Sequence, residues 1–135
     1  MADMKRQEPT EIRIDQNSGV PVWLQLNNQI TALIYLGVYP AGSQLPTVRE
    51  MAVQVGVNYN TVSKVYQNLE REGLIVSRRG RGSFVESALP PVQDGPLGEG
   101  EGFAREYVHR CQELGLNDDM IVDLVRRQLE GDRRR

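Results

Sequence analysis

Apolar residues recur at intervals of three and four along residues 22–36, which is the spacing of one face of an α-helix. A second, short helix is predicted to begin after Thr47. In the run Thr47-Val48-Arg49-Glu50, the threonine hydroxyl and the glutamate carboxylate can each accept a free backbone N–H at a helix start. This helix ends at Gly56, since glycine most easily adopts the left-handed conformation found at helix C-termini.

The residues after Gly56 predict a third helix and a β-hairpin. Asn58 is a suitable N-cap for the helix, and Gly73 marks its end. Residues 74–77 and 83–85 predict two strands around a tight turn. Two short helices joined by a glycine-containing turn form a helix-turn-helix, and the hairpin adds a wing to it.

Four segments follow from this pattern. Two isoleucines alternate with charged residues over residues 11–15 and predict a short leading strand. Residues 11–86 then form a winged helix-turn-helix domain, so the predicted fold class is α+β and mostly helical. Residues 87–102, rich in proline, glycine and acid, predict a linker. Residues 103–131 predict two helices that form a C-terminal tail.

Each helix of the tail carries an apolar stripe. Two helices of this length bury too little surface alone, so they are expected to pack on a second copy of the chain, with the winged domain as the alternative partner. The predicted dimerisation residues are Phe103, Tyr107, Val108, Cys111, Leu114, Ile121, Leu124, Val125 and Leu129.

The overall charge argues at first against a nucleic-acid partner. The 135 residues contain 16 Lys/Arg and 18 Asp/Glu, for a net charge of -2, whereas phosphate contacts need cations. The distribution is uneven, however. Residues 1–86 hold nine basic against eight acidic side chains, and the remainder holds seven against ten. Three of the basic residues stand together in Arg78-Arg79-Gly80-Arg81, which forms a local basic patch.

Several functions are excluded by composition. No apolar run approaches the roughly 20 residues of a membrane span, and the first residues lack the apolar stretch of a signal peptide, so a cytoplasmic location without membrane contact is expected. The single cysteine, Cys111, has only His109 near it, which predicts no metal site. These two side chains point to different faces of a helix and do not form a nucleophile–base pair. No cofactor and no enzymatic activity are expected.

Two glycines and six runs of residues match a known pattern. They are Gly37 and Gly42 with Pro21-Val22-Trp23-Leu24-Gln25-Leu26, Leu45-Pro46-Thr47-Val48-Arg49-Glu50-Met51-Ala52, Val57-Asn58, Asn60-Thr61-Val62, Leu69-Glu70-Arg71-Glu72-Gly73-Leu74 and Gly80-Arg81-Gly82-Ser83-Phe84-Val85. These residues resemble the DNA-binding domain of bacterial GntR-type transcription regulators. With the short tail, the chain looks most like the YtrA-type subfamily, and this resemblance implies a small C-terminal part that mediates dimerisation, without a large effector-binding domain. Tyr59 departs from the pattern, because this subfamily often has proline there and other branches arginine.

A recognition helix reads bases with its N-terminal side chains, while phosphate contacts fix its register on the duplex. Asn60 can pair with adenine through two hydrogen bonds, worth about 1–3 kcal/mol of discrimination. The resemblance implies a guanine or phosphate contact for Arg49, and Gly80 would let the wing approach a narrow minor groove. The predicted DNA-binding residues are Ser43, Thr47, Arg49, Asn58, Tyr59, Asn60, Thr61, Lys64, Arg79, Gly80 and Arg81.

These assignments have structural alternatives. Arg49 is alternatively a solvated charge or the partner of an acidic residue, and Tyr59 alternatively packs on a neighbour at the helix start. Arginines in the wing also protect the exposed edge of a hairpin from pairing with other strands. The terminal arginines at 133–135 fit a solvated tail better than a contact with DNA.

The sequence therefore favours a homodimeric, sequence-specific repressor in which each subunit supplies a recognition helix and a wing to an inverted-repeat operator. The resemblance implies control of its own operon and often of neighbouring transporter genes. The competing hypothesis is a protein-interaction module, which predicts no salt-sensitive affinity for DNA. A small-molecule effector of unknown identity is compatible with the leading hypothesis, but no pocket residue for it follows from the sequence.

Overall fold

The computed structural model describes residues 12–92 and 96–133, and the chain divides between Val92 and Gln93 into two compact units. Three helices followed by a β-hairpin make up the first unit, and two helices make up the second, which confirms the predicted fold class. The elements are α1 (Val22–Tyr35), α2 (Val48–Val55), α3 (Tyr59–Arg71), β1 (Ile75–Arg78), β2 (Gly82–Val85), α4 (Pro96–Glu113) and α5 (Asp118–Arg133).

The start of α2 has the predicted capping box. The hydroxyl oxygen of Thr47 accepts a hydrogen bond from the backbone N–H of Glu50 at 3.0 Å, and the Glu50 carboxylate accepts one from the N–H of Thr47 at 2.9 Å. Gly56 ends the helix with a φ of +68°. The chain then turns directly into α3, so the two helices form a helix-turn-helix.

The core of the first unit lies between α1, α2, α3 and the hairpin. The α3 side chain Tyr66 crosses this core, and its hydroxyl donates a hydrogen bond to the carbonyl oxygen of Pro46 at 2.7 Å. Burial raises the pKa of the Tyr66 hydroxyl well above its usual value. The buried cluster consists of Leu26, Ile30, Ile34, Leu45, Met51, Val57, Val62, Val65, Tyr66, Leu69, Leu74, Ile75 and Val85.

The hairpin pairs β1 with β2 in antiparallel register, from Ile75 opposite Val85 to Arg78 opposite Gly82. Residues 42–45, which the sequence leaves without regular structure, join the other side of β2 through backbone hydrogen bonds of 2.8–2.9 Å. Their short length and flanking prolines conceal this pairing in the sequence. The wing is thereby anchored to the segment that leads into α2.

The strand predicted at residues 11–15 is wrong for the residues described, which are irregular from Ile12 onward, and Glu11 lies outside the described ranges. The backbone N–H and C=O groups of Arg13 bond to the side-chain amide of Gln29, at 2.9 and 2.8 Å. Gln25 binds the backbone of Asp15 in the same way. Because these amides from α1 satisfy the backbone groups, the segment needs no neighbouring strand.

The linker predicted at residues 87–102 is too long. Leu89 packs on the core, and the Tyr35 hydroxyl donates to the carbonyl oxygen of Pro90 at 2.5 Å. Helix α4 begins at Pro96, seven residues before the predicted tail. Proline is favoured at the first position of a helix because its missing N–H has no partner there, and the several glycines that follow weaken a helix by about 1 kcal/mol each without forbidding it.

The second unit is a pair of helices joined by a turn with Gly115 at a φ of +83°. Cys111 and Ile121 are buried, and the Tyr107 hydroxyl donates to the carbonyl oxygen of Ile121 at 2.8 Å. Other apolar side chains of the predicted dimerisation set remain exposed, namely Phe103, Val108, Leu114, Leu124, Val125 and Leu129. Over the described part of the chain, no helix has both the length and the apolar character required to cross a membrane.

Candidate nucleic-acid interface

Helix α3 presents a continuous polar stripe to solvent. Its buried side chains occupy one face, and the residues opposite this face recur at intervals of three and four. These residues are exposed along the full length of the helix, and they are Asn60, Lys64, Gln67 and Arg71. The stripe has the width and polarity expected of a helix that enters a major groove.

The predicted contacts at the start of α3 divide into a cap and a reading residue. The side-chain oxygen of Asn58 accepts the backbone N–H of Asn60 at 2.8 Å, so it stabilises the helix start. The side chain of Asn60 is exposed and points away from the core, at the position where an amide can pair with adenine.

Arg49 and Tyr59 come together across the turn between α2 and α3. The guanidinium carbon of Arg49 lies 5.8 Å from the centre of the Tyr59 ring, and about half of the tyrosine is exposed. This is the geometry of a cation–π contact. The tyrosine that departs from the common family pattern therefore holds the arginine that the resemblance singles out.

The hydroxyl groups of the two predicted phosphate donors make different hydrogen bonds within the fold. Thr47 accepts the N–H of Glu50 with its oxygen and keeps its proton for a ligand at the N-terminus of α2. Ser43 donates its proton to the carbonyl oxygen of Pro40 at 2.6 Å. Both phosphate contacts stay predictions, and the fold engages Ser43 more fully than Thr47.

The tip of the wing depends on two glycines. Gly80 has a φ of +75° and Gly82 a φ of +115°, both in the region that favours glycine. The amide nitrogen of Gln44 donates to the carbonyl oxygen of Arg81 at 2.7 Å, which ties the turn to the segment before α2. A side chain at position 82 would collide with this amide.

Of the three arginines of the wing, one lies near an aromatic ring and two are on the turn. The guanidinium carbon of Arg78 lies 5.8 Å from the centre of the Phe84 ring on the neighbouring strand. Arg79 and Arg81 are exposed on the turn itself. Both side chains can therefore enter a narrow minor groove of DNA, which is lined by phosphates on both sides.

Nearby carboxylates are engaged locally. Glu50 belongs to the capping box, and Glu70 accepts hydrogen bonds from the hydroxyl and the N–H of Ser77 at 3.0 and 3.3 Å. Both exposed carboxylates thus have hydrogen-bond partners within the first unit, and the two charged residues of the exposed stripe of α3, Lys64 and Arg71, are basic.

A groove between α1 and α3 escaped the sequence analysis. It has a volume of about 480 Å³, and Trp23 of α1, 49% exposed, forms one wall. The other lining residues are Thr61, Lys64, Val65, Asn68 and Arg71. Only two of them belong to the predicted contacts. The spacing gave no signal for it, because Trp23 stands three residues before Leu26, in register with the buried apolar positions of α1.

Comparison with known proteins agrees with this geometry. Residues 24–85 match the family described as bacterial regulatory proteins, gntR family. The chain is 41% identical over 87 residues to the HTH-type transcriptional repressor YtrA of Bacillus subtilis (strain 168), covering 64% of this chain and 67% of the relative.

Solved structures extend the similarity. YtrA from Sulfolobus acidocaldarius, a GntR-family transcription factor, has a TM-score of 0.51 and 32% identity, covering 87% of this chain and 96% of that one. The AraR DNA-binding domain in complex with operator ORX1 has a TM-score of 0.51 and 28% identity, covering 54% and 93%.

The predicted resemblance is thus confirmed by sequence over the winged domain and by structure over most of the chain. The relatives are regulators rather than enzymes. This protein belongs to the gntR family of bacterial regulatory proteins and is a DNA-binding transcription regulator.

Proposed function

We propose that the protein is a homodimeric, sequence-specific repressor that binds an inverted-repeat operator in its own operon or in a neighbouring transporter operon. The observation that carries the proposal is the polar stripe of α3, flanked by the Arg49–Tyr59 pair and accompanied by the arginines of the wing. Because such an operator lies on the bacterial chromosome, the proposed repressor acts in the cytoplasm.

In this proposal, α3 enters the major groove with its N-terminus toward the bases. Asn60 reads a base edge, and Lys64 neutralises a phosphate farther along the helix. Arg79 and Arg81 of the wing enter the adjacent minor groove, where closely spaced phosphates attract guanidinium groups. The backbone N–H groups at the N-terminus of α2, beside Thr47, donate hydrogen bonds to another phosphate.

The exposed apolar side chains of α4 and α5 support the dimer. Leu114 is 77% exposed and Phe103 is 69% exposed, and burying a large apolar side chain contributes about 1.5–3 kcal/mol. Five such side chains on the two helices, with Leu114 in the turn between them, form a surface that a second copy can cover. A two-fold dimer presents two recognition helices, which fits an inverted repeat.

The name of the Bacillus subtilis relative supports repression. Operator binding is tested by fluorescence anisotropy of labelled DNA from upstream of the gene, against a scrambled duplex, over a salt series. Tight binding to the upstream duplex alone is expected, with affinity that falls steeply as salt rises because counterions are released. Arg49→Ala should weaken it. Equal, salt-insensitive binding to both duplexes would contradict the proposal and favour the interaction module.

Sedimentation tests the dimer separately. Leu124→Glu places a charge on the exposed apolar surface of α5 and should shift the protein from dimer to monomer at micromolar concentration. Arg126→Gln changes the net charge by the same amount on the opposite side of α5, where Arg126 is exposed, and should leave the dimer intact. A wild-type monomer, or a dimer that survives deletion of residues 88–135, would refute the assignment of the tail.

A further inference from the structure

The groove between α1 and α3 contains a chain of hydrogen bonds that starts in the core. Asn27 is only 7% exposed, and its side-chain oxygen accepts a hydrogen bond from the amide nitrogen of Asn68 at 3.0 Å. The oxygen of Asn68 in turn accepts one from the guanidinium group of Arg71 at 3.0 Å. The position of an exposed arginine is thus fixed from a buried amide.

Burying the Asn27 side chain costs free energy of desolvation that an apolar residue at this position would avoid. Burying an amide in a core is unfavourable unless its hydrogen bonds are made. Here the Asn27 nitrogen donates to the side-chain oxygen of Asn28, and the Asn27 oxygen accepts from Asn68, which also binds the guanidinium of Arg71. The chain of amides therefore restricts a flexible cation in advance, which lowers the entropy lost when that cation binds a partner.

The groove is continuous with the polar stripe of α3. Successive residues of a helix are separated by about 100°, which places Thr61 and Asn68 on the flank of the stripe that faces Trp23. Tyr59 falls on the opposite flank. Lys64 and Arg71 belong to the stripe and also line the groove. A duplex that meets the stripe therefore has Arg49 with Tyr59 on one side and the Trp23 groove on the other.

We propose that this groove binds the sugar–phosphate backbone of DNA along one wall of the major groove, an inference that rests on the proposed function. The indole face of Trp23 packs on a deoxyribose, and Arg71 and Lys64 bind non-bridging phosphate oxygens. An exposed aromatic ring beside two cations suits this ligand, because the sugar supplies an apolar face and the phosphate two acceptors. These contacts set the register of the helix on the duplex and carry no base preference.

The single tryptophan makes the contact directly observable. Its fluorescence is excited selectively over that of tyrosine, and quenching by acrylamide is measured with and without saturating upstream duplex. Binding should decrease the quenching constant several-fold, because the indole loses its exposure to solvent. If anisotropy shows that the duplex is bound while Trp23 stays equally accessible, the groove does not contact DNA. If no duplex is bound at all, the proposed function itself fails.

A control with inorganic phosphate distinguishes binding of the DNA backbone from binding of a free anion. Phosphate alone, at the ionic strength of the DNA experiment, should leave the quenching constant unchanged. Protection by phosphate as strong as protection by the duplex would overturn the proposal in favour of a small-anion site.

A variant series measures the phosphate contact. Arg71→Gln should reduce the slope of log affinity against log salt by about 0.9, as expected for one phosphate contact. The ratio of affinities for upstream and scrambled duplex should stay as in wild type. Arg110→Gln removes an equal charge from α4, where Arg110 pairs with Glu106, and should leave the slope unchanged.

Asn68→Ala tests the positioning role of the amide chain. It should weaken binding while Arg71 itself is retained, and combining it with Arg71→Gln should add little, because both act through one contact. A wild-type slope for Arg71→Gln, or a slope that Arg110→Gln reduces equally, would overturn the assignment.

Discussion

Gly82 offers a sharp test of how the wing is built, through the variant Gly82→Ala. The backbone there has a φ of +115°, which L residues rarely adopt, and an added Cβ would lie 2.7 Å from the amide nitrogen of Gln44. The backbone strain costs about 1–3 kcal/mol. Displacing Gln44 also breaks its 2.7 Å hydrogen bond to the carbonyl oxygen of Arg81, worth about 1 kcal/mol. Together these terms lower the free energy of unfolding by about 3 kcal/mol.

Gly80→Ala is the matched control for the collision. Gly80 has a φ of +75°, but an added Cβ would meet no atom within 4 Å. Only the left-handed conformation is then penalised, by about 1–2 kcal/mol.

Urea unfolding followed by the fluorescence of Trp23 reports on the winged unit, where that tryptophan lies. With a typical m-value, Gly82→Ala should lower the midpoint by about 1–3 M and Gly80→Ala by clearly less. Adding Gln44→Ala to Gly82→Ala should cost less than the sum of the single losses, because the collision is gone. Equal losses for the two glycine variants would refute the proposed collision with Gln44.

Three further outcomes are expected. Tyr66→Phe leaves the carbonyl oxygen of Pro46 without its partner, and should lower the free energy of unfolding by about 1 kcal/mol in chemical denaturation. Because burial raises the pKa of Tyr66, the folded chain holds its proton more tightly than the unfolded one, so stability should fall as the pH rises above 10 and fall less in the phenylalanine variant. Tyr59→Ala should weaken operator binding in anisotropy, and combined with Arg49→Ala it should show a coupling of about 0.5–1 kcal/mol, whereas additive losses would mean that the ring does not hold the guanidinium. Thr47→Ala should cost about 1 kcal/mol of stability and Thr47→Ser much less, and equal losses would argue against the capping box.

Local signals in the sequence predict much of the winged domain. The capping box at Thr47, the glycine at 56 and the asparagine at 58 act within one turn of chain, so their roles do not depend on distant residues. The same holds for the glycines of the wing, whose positive φ values are needed for the turn itself.

Errors arose where a partner outside the local segment decided the outcome. Residues 12–15 alternate like a strand, but glutamines of α1 satisfy their backbone groups. Residues 42–45 show no strand pattern, yet they pair with β2. The start of α4 differs for a local reason, because proline and glycine usually favour loops, although proline is well suited to a first helical turn.

Neighbouring residues are enough to predict a winged helix-turn-helix with a short helical tail, because helix spacing, caps and turn glycines are local features. Which distant side chains meet depends instead on the packing of the helices. This packing brings Arg49 onto Tyr59 and places Trp23 beside Lys64 and Arg71. Such contacts join residues that are distant in sequence, such as Asn27 and Asn68, which are 41 positions apart, and their distances depend on how whole helices pack.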